Sequence, residues 1–221
     1  DVARLQMRLA AITIVIPTFT DAMGAGYVAN SDVPTVNAGW TAFPGYTAGA
    51  IQYTGTANGI KAVAGGAGFI RPAVKNGDSV QQVINFTCKS ATNANCVTAV
   101  LVLDGNNWIG ITAFGQSTLT VTRVSVCQAG SVTTLTDFTN FANASSSDLF
   151  TMQIRNVAGT YMLELFQNGH LLNVAAGTAN ISALVDPAGS GFLKDARYPG
   201  LGWRGAAQGT WLAAWSSAAL A

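Results

Sequence analysis

The sequence carries little charge. Charged residues make up 10% of its 221 residues, whereas soluble domains average about 25%. Its 11 basic and 10 acidic residues give a formal net charge of +1, and the basic residues form no cluster. Because nucleic-acid binding proteins neutralise phosphates with clustered Lys and Arg side chains, we expect no nucleic-acid partner.

Long apolar runs are also missing. The hydrophobic fraction is 49% and the mean hydropathy is +0.33, yet no stretch reaches the roughly 18 continuous apolar residues that a spanning helix needs. We therefore expect no membrane span. Apolar side chains in excess of one core usually mark interaction surfaces, so the composition favours a subunit that associates with copies of itself.

Side chains that commonly serve in catalysis are scarce. The chain has one histidine, His170, and one glutamate, Glu164. The nine aspartates lie mostly among Gly, Asn and Ser residues, where Asp is a turn-former. No G-x-S-x-G motif is present, and no C-x-x-C pair indicates a zinc site. We expect no cofactor.

His170 follows Asn168-Gly169, a pair that favours a two-residue hairpin turn because both residues tolerate positive φ. The turn predicts that Gln167 faces His170, that Phe166 faces Leu171, and that Glu164 faces Asn173. A general acid or base needs an orienting partner, and this register gives His170 none. His170 is predicted to be an exposed hairpin residue.

The three cysteines are Cys88, Cys96 and Cys127. Cys88 and Cys96 bracket a polar loop, "KSATNAN". If that loop joins two paired strands, the two thiols could form a disulfide across a hairpin. The alternative, two reduced core residues, is equally consistent with the sequence.

Most of the chain has the pattern of β-strands. Short runs of Thr, Val, Ile and aromatic residues alternate with period two, and Gly or Asn clusters separate them. This pattern predicts an all-β fold of two antiparallel sheets packed face to face. The predicted strands are residues 59–64, 79–88, 96–104, 107–115, 119–126, 149–157, 160–167, 170–176 and 209–219.

The N-terminal residues 1–17 are predicted to form an arm, and residues 18–221 the sandwich domain. The segment "ITIVI", with Ile12, Ile14 and Ile16, is β-branched and suited to pair with the sheet edge of a neighbouring subunit. A targeting segment is the alternative, because Arg4 and Arg8 precede a short apolar run.

Several stretches together resemble a known family. "WIGITAFG", the "YMLELFQNG" hairpin and the terminal "YPGLGWRG" with "WLAAWSSA" resemble the concanavalin A-like (laminin-G-like) jelly-roll sandwich. The stretch "FTDAMGAGYVANSDVPTVNAGWTAFPG", with Gly39-Trp40, resembles the start of such domains in bacteriophage virion proteins. The resemblance covers roughly residues 19–219. It implies a lectin, a β-glucanase, or an adhesive or decorating module of a phage particle.

The enzymatic branch of this family uses two carboxylates in an E-x-D-x-E strand motif, which serve as nucleophile and acid. Glu164 has no acidic residue two or four positions away, so we expect no enzymatic activity. For calcium, two compact loops carry acidic and amide side chains, residues 75–79 and 103–108. The second, with Asp104 and Asn106, is the better candidate, and a hairpin turn on Asp104-Gly105 is the favoured interpretation. We expect no metal.

Aromatic residues could bind sugar by stacking. The five tryptophans are Trp40, Trp108, Trp203, Trp211 and Trp215. Trp211 and Trp215 share one strand face, which favours a core position. The predicted carbohydrate-binding residues are Trp203 and Tyr198 in a Gly- and Pro-rich loop, Arg204 beside them, and Trp108. Packing of Trp203 beneath this loop, which also carries Arg197, is the alternative.

Taken with the resemblance, these patterns predict a non-enzymatic virion surface or appendage subunit in an extracellular particle. Its partners would be other copies of itself, neighbouring virion proteins and host-surface glycans. A soluble carbohydrate-binding lectin module, secreted or on a cell surface, is the alternative, and a glycoside hydrolase of the same fold is the third possibility.

Overall fold

The structure, a computed structural model, describes residues 31–36, 39–53, 60–62, 68–72, 78–88, 96–114, 121–138, 148–172, 178–203 and 212–219. The predicted arm, with Ile12, Ile14 and Ile16, lies outside these residues. Within the described part of the chain, no helix is long and apolar enough to cross a membrane.

Sixteen strands and two short helices make up the described fold. In chain order they are β1 (Ser31–Asp32), α1 (Val33–Val36), β2 (Trp40–Ala42), β3 (Ile51–Tyr53), β4 (Ile60–Ala62), β5 (Gly68–Pro72), β6 (Gln82–Cys88), β7 (Cys96–Asp104), β8 (Asn107–Phe114), β9 (Val121–Gln128), β10 (Ser131–Phe138), β11 (Phe150–Val157), β12 (Thr160–Gln167), β13 (His170–Leu171), β14 (Thr178–Asn180), α2 (Ser182–Val185), β15 (Tyr198–Trp203) and β16 (Leu212–Ala219).

The strands form two antiparallel sheets, and the predicted all-β sandwich is confirmed. The nine-stranded sheet A has the order β1-β3-β4-β16-β6-β11-β12-β13, with β14 also pairing with β12. The seven-stranded sheet B has the order β10-β9-β8-β7-β15-β5-β2. Neighbouring strands such as β16 and β6 are far apart in sequence, so the sheets are assembled largely by long-range pairing.

The main core lies between the two sheets. Strand side chains alternate between faces, and the inward-facing side chains are fully or almost fully buried. Sheet A contributes Ile84, Phe150, Met152, Leu163 and Leu165, and sheet B contributes Ile70, Ile109, Val124 and Leu201. The rings of Phe86 and Phe150 stack with centroids 5.5 Å apart.

A second apolar cluster covers the outer face of sheet B. It contains Phe43, Phe69, Ala99, Val102, Trp108 and Cys127, with the half-buried Tyr198 packed against it. On β5 and β8 these residues alternate with members of the main core, because Phe69 precedes Ile70 and Trp108 precedes Ile109. Sheet B is therefore apolar on both faces, which accounts for part of the chain's surplus of apolar residues.

Strand β15 corrects one prediction. The glycines and proline of "YPGLGWRG" predict a loop, but Tyr198–Trp203 is a strand between β7 and β5. The glycines serve close packing. A Cβ on Gly202 would lie 2.1 Å from Cε1 of Phe69, and one on Gly200 would lie 2.9 Å from the Ile70 carbonyl oxygen.

The strands that end at Cys88 and begin at Cys96 do not pair with each other, so the condition for a disulfide across a hairpin is not met. Strand β6, which ends at Cys88, belongs to sheet A, whereas β7, which begins at Cys96, belongs to sheet B. Cys88 pairs with Leu212 in sheet A, and Cys96 pairs with Trp203 in sheet B. The two cysteine side chains lie outside the described parts. Cys127 is buried.

The Asn168-Gly169 hairpin is confirmed, with φ values of 50° and 79°. Gln167 pairs with His170 and Phe166 pairs with Leu171, as predicted. The next pair differs from the prediction, because Glu164 faces Thr178 of β14 and not Asn173. The returning strand β13 ends at Leu171, and a later segment continues the pairing along β12.

We expect Gly110→Ala to lower the free energy of unfolding by about 1–3 kcal/mol, the usual cost of overpacking. A Cβ at Gly110 would lie 2.7 Å from the Ala99 Cα and 2.8 Å from the Thr98 carbonyl oxygen. Relieving these backbone contacts requires β7 and β8 to separate. Urea denaturation of the full chain measures the loss.

Gly105→Ala is the matched control, because its added Cβ would meet only the Pro44 carbonyl oxygen at 3.8 Å. We expect its stability to stay within about 0.5 kcal/mol of the parent, as for most surface substitutions. Equal stability of both variants would contradict the described contact between β7 and β8.

Candidate binding groove

A groove of about 430 Å³ lies on sheet B where β15 begins and β7 nears its end. Its apolar lining includes Phe43, Val102 and Leu103. Its polar lining comes from Arg71, Asp195, Arg197 and Tyr198. Phe43, Val102 and Tyr198 also belong to or pack against the outer cluster, so the bottom of the groove is a packed apolar surface.

Irregular pairing of β7 with β8 shapes the side of the groove that β7 forms. The pairing with β8 shifts between Ala99 and Leu101 and again between Val102 and Asp104, which places an extra residue in β7 each time. Such bulges change which face a side chain points to. Val102 therefore turns toward the outer cluster, while Leu103 is 39% exposed and presents an apolar side chain to the groove.

Arg71 lies over the ring of Tyr198. Its Cζ atom is 3.9 Å from the Tyr198 ring centroid and 5.7 Å from that of Phe43. The two rings meet edge to face, with centroids 6.4 Å apart and an interplanar angle of 85°. A guanidinium over an aromatic face contributes roughly 0.5–2 kcal/mol, depending on desolvation. The rings therefore hold the Arg71 charge at the groove.

The residues that line the groove ahead of β15, Asp195 to Arg197, belong to a segment that is anchored by backbone hydrogen bonds. Leu193 N donates to the Leu184 carbonyl of α2 at 2.9 Å, and Ala196 N donates to the Leu193 carbonyl at 3.0 Å. Leu193 and Ala196 are buried in the main core. The segment is therefore attached to the body of the sandwich.

Arg197 is held by this same segment. Its Nη1 atom donates to the carbonyl oxygens of Lys194 and Ala196, both at 2.7 Å. One nitrogen of the guanidinium thus fixes the position of the whole planar group. Within the described parts of the chain, no hydrogen-bond partner is found for its Nε or Nη2 atoms.

Asp195 is the one carboxylate that lines the groove within the described residues. Lys194 Nζ contacts its Oδ2 atom at 2.8 Å. This hydrogen bond is the main cause that holds the pKa of the Asp195 carboxyl below its usual range. Both side chains are well exposed, so the pair is hydrated and contributes little to stability.

The structure separates the predicted sugar-binding residues. Tyr198 lies in the groove, but Arg71 covers a face of its ring, which argues against simple stacking of a sugar there. Trp108 is fully buried in the outer cluster, so its ring has no open face. Its Nε1 atom has no hydrogen-bond partner among the described residues. Trp40 is also buried, in the main core.

The other tryptophans and Arg204 remain predictions. Trp203 ends β15, opposite Gly68 and Cys96, but its side chain lies outside what the structure describes. Trp215 pairs with Phe86 along β16, and its side chain is likewise outside. Arg204 and Trp211 lie in segments that the structure does not describe.

The weak calcium candidate is a turn. Asp104 Oδ1 accepts a hydrogen bond from the Asn106 backbone N at 2.7 Å, and Asn107 Nδ2 donates to both Asp104 oxygens at 3.0 Å. The carboxylate thus organises the β7–β8 hairpin, which confirms the favoured interpretation. No group of three or more His, Cys, Asp or Glu side chains that could hold a metal occurs in the described residues.

Glu164 is held by an ion pair and hydrogen bonds to neighbouring side chains. It lies on the outer face of sheet A, with its side chain 8% exposed, and forms an ion pair with Arg155 at 2.7 Å. Arg155 Nε and Gln153 Nε2 donate to its Oε2 atom at 3.2 and 2.6 Å. His170 is exposed at the start of β13, several residues from Glu164. Through these contacts, the single glutamate of the sequence links β12 to β11.

Comparisons with known proteins give similarity of fold alone. No family model and no curated protein matches the chain. Among solved structures, it is similar to the carbohydrate-binding module CBM66 from Bacillus subtilis at 10% identity, covering 83% of this chain and 97% of that one, with a TM-score of 0.48.

Two further structures align similarly. An endo-1,3-beta-glucanase from Streptomyces sioyaensis shares 10% identity, covering 90% of this chain and 95% of that one, with a TM-score of 0.48. The CBM2 module of the evolved Dit protein of Lactobacillus casei BL23 phage J-1 shares 12% identity, covering 87% and 93%, with a TM-score of 0.43. Binding modules and an enzyme both occur among these structures, so similarity at this level does not assign an activity.

We expect Glu164→Gln to lower the free energy of unfolding by about 1–3 kcal/mol, because a buried charge-assisted hydrogen-bond network loses its charged acceptor. Thermal and urea denaturation measure the change. Asp195→Asn is the control, since its carboxylate is exposed, and we expect no measurable loss. A Glu164→Gln variant as stable as the parent would contradict the structural role.

Proposed function

We propose that this protein is a non-enzymatic carbohydrate-binding module whose ligand occupies the groove beside Tyr198. The observation that carries the proposal is the convergence of apolar, cationic and anionic side chains at one concave surface. In a chain with 10% charged residues, Arg71, Asp195 and Arg197 line the same groove as Phe43 and Leu103.

The groove has the features of a saccharide site. A sugar ring presents C–H groups on its faces and hydroxyl groups at its edge. The exposed surface of Leu103 and the rim of Phe43 offer apolar contact. The guanidinium group of Arg197 donates hydrogen bonds, and the Asp195 carboxylate accepts them. Concave sites with an apolar lining and a few fixed polar groups are typical of small-ligand binding.

The carboxylates support binding without hydrolysis. Glycoside hydrolysis typically uses two carboxyl groups, separated by about 5–9.5 Å, on either side of the scissile bond. The described lining of the groove offers Asp195 alone, and Glu164 lies on the other sheet in its ion pair with Arg155. A glycosidase of this fold is therefore the less favoured function.

As a second function, we propose that the module is a subunit of a larger assembly, such as a virion surface or appendage. The support is compositional: 49% hydrophobic residues with 10% charged residues. Val132 and Val157 are also exposed by 45% and 41%. The partners would be copies of itself and neighbouring virion proteins, with host glycans bound in the groove, and the setting would be an extracellular particle.

We expect the full chain to bind saccharides on a glycan array and the double variant Asp195→Ala with Arg197→Ala to bind at least about tenfold more weakly. Each hydrogen bond to a charged group is worth about 1.5–3 kcal/mol, and about 1.4 kcal/mol is a tenfold change in Kd. Titration calorimetry on array hits measures the ratio.

His170→Ala is the control for that experiment. His170 is exposed on sheet A, away from the groove, and we expect binding to be unchanged. Absence of saccharide binding by the parent chain, or equal binding by the parent and the double variant, would overturn the proposed site. Saccharide hydrolysis by the parent would overturn the non-enzymatic assignment.

Sedimentation of the full chain in dilute solution tests the assembly proposal. We expect an oligomer, and we expect deletion of residues 1–17 to reduce it to monomers, since the arm is predicted to pair with a neighbour's sheet edge. A stable monomer of the full chain, or intact assembly after the deletion, would contradict this function and leave saccharide binding unaffected.

A further inference from the structure

The charges around the groove are unbalanced. Arg71 and Arg197 are cationic at neutral pH, because a guanidinium keeps its proton. The single lining carboxylate, Asp195, is already paired with Lys194 at 2.8 Å. Among the described lining residues, two cationic side chains thus accompany one carboxylate, although the whole chain has a formal net charge of only +1.

Hydrogen-bonding capacity is unbalanced in the same direction. A guanidinium has five N–H donors and no acceptor. Two backbone carbonyls take up the Nη1 atom of Arg197, and its remaining edge meets no described acceptor. A ligand that complements this surface must bring acceptors, and a carboxylate or sulfate brings them together with a negative charge.

We propose that the groove selects acidic saccharides, and that Arg197 binds the anionic group of the sugar. This inference rests on the proposed saccharide-binding function and specifies its ligand class. The planar fork of an Arg side chain matches the two oxygens of a carboxylate, and such paired charge-assisted hydrogen bonds are about twice as strong as neutral ones. Arg71 adds a second positive charge at the same surface.

The guanidinium of Arg197 is held in position before a ligand binds. Its guanidinium is held by the Lys194 and Ala196 carbonyl oxygens, and Ala196 itself is buried in the main core. The side chain therefore loses little freedom when a ligand binds, which preserves more of the interaction energy as affinity. The apolar surface of Leu103 and Phe43 in the same groove accounts for a preference for a sugar over a free anion.

The test compares matched neutral, carboxylated and sulfated saccharides on one array, with the full chain and two variants. We expect the parent to bind acidic members at least about tenfold more tightly than their neutral counterparts, as one charge-assisted hydrogen bond implies. Carboxylated and sulfated members identify the anionic group. In assays from about 50 to about 500 mM salt, we expect binding to weaken as the salt concentration rises, because salt screens exposed charges.

The Arg197→Gln variant distinguishes a loss of anion recognition from a change in the structure of the segment that carries residue 197. We expect it to remove the preference for acidic members while retaining binding of neutral ones, whereas a merely disordered loop would weaken both alike. Arg197→Lys keeps the charge without the planar fork, and we expect it to retain part of the preference. His170→Gln, on the other sheet, should leave the preference unchanged.

The outcomes distinguish the two proposals. Binding of neutral saccharides without any preference for acidic ones overturns the selectivity and leaves the saccharide-binding function in place. Binding of no saccharide overturns both. A preference that persists unchanged in Arg197→Gln overturns the assignment to Arg197.

Discussion

The candidate site depends on the close packing of aromatic rings against a strand that lacks side chains on its outer face. Strand β15 carries Gly200 and Gly202 there, and the ring of Phe69 occupies the place where a Cβ of Gly202 would lie. Phe69 packs in turn on Trp108, with ring centroids 5.6 Å apart. This packing gives the outer face of sheet B a closely packed surface, which forms the floor of the groove. Among the described elements, no third layer is needed to support the groove.

The floor determines what the groove can do. It supports Tyr198 and Phe43, whose rings hold the guanidinium of Arg71. Across from it, a segment tied to the main core through Leu193 and Ala196 presents Arg197 and Asp195. Charged side chains thus reach the groove from two parts of the chain, Arg71 from β5 and Asp195 with Arg197 from the segment before β15. Rigid placement of few polar groups is what a selective binding site requires.

Local patterns in the sequence predicted the strands well where alternation was clear. Strands β7 and β12 have the predicted bounds, and the Asn168-Gly169 turn fixed the register of its hairpin. Strand β15 could not be recognised, because its glycines indicate turns locally and their packing partner, Phe69, is remote in sequence. For the same reason, the sequence left open whether the strands that flank Cys88 and Cys96 pair with each other, since sheet membership is decided by long-range pairing.

The candidate site was predicted only in part. Tyr198 was singled out as a sugar-binding candidate from the sequence, and the structure places Arg71 over its ring. Neither Arg71 nor Phe43 carried any local signal, because a cation–π contact joins residues that alternation and spacing do not relate. Arg197 was noticed beside Tyr198, and its two bonds to backbone carbonyls could not be read from the sequence.

Amide NMR titration of the full 22.8 kDa chain with its tightest-binding saccharide tests the central claim directly, namely that the groove on sheet B is the ligand site. We expect chemical-shift changes concentrated at Leu103 and at residues 195–198. Changes concentrated instead on sheet A, at β11 and β12 around Glu164, with the groove residues unmoved, would contradict it.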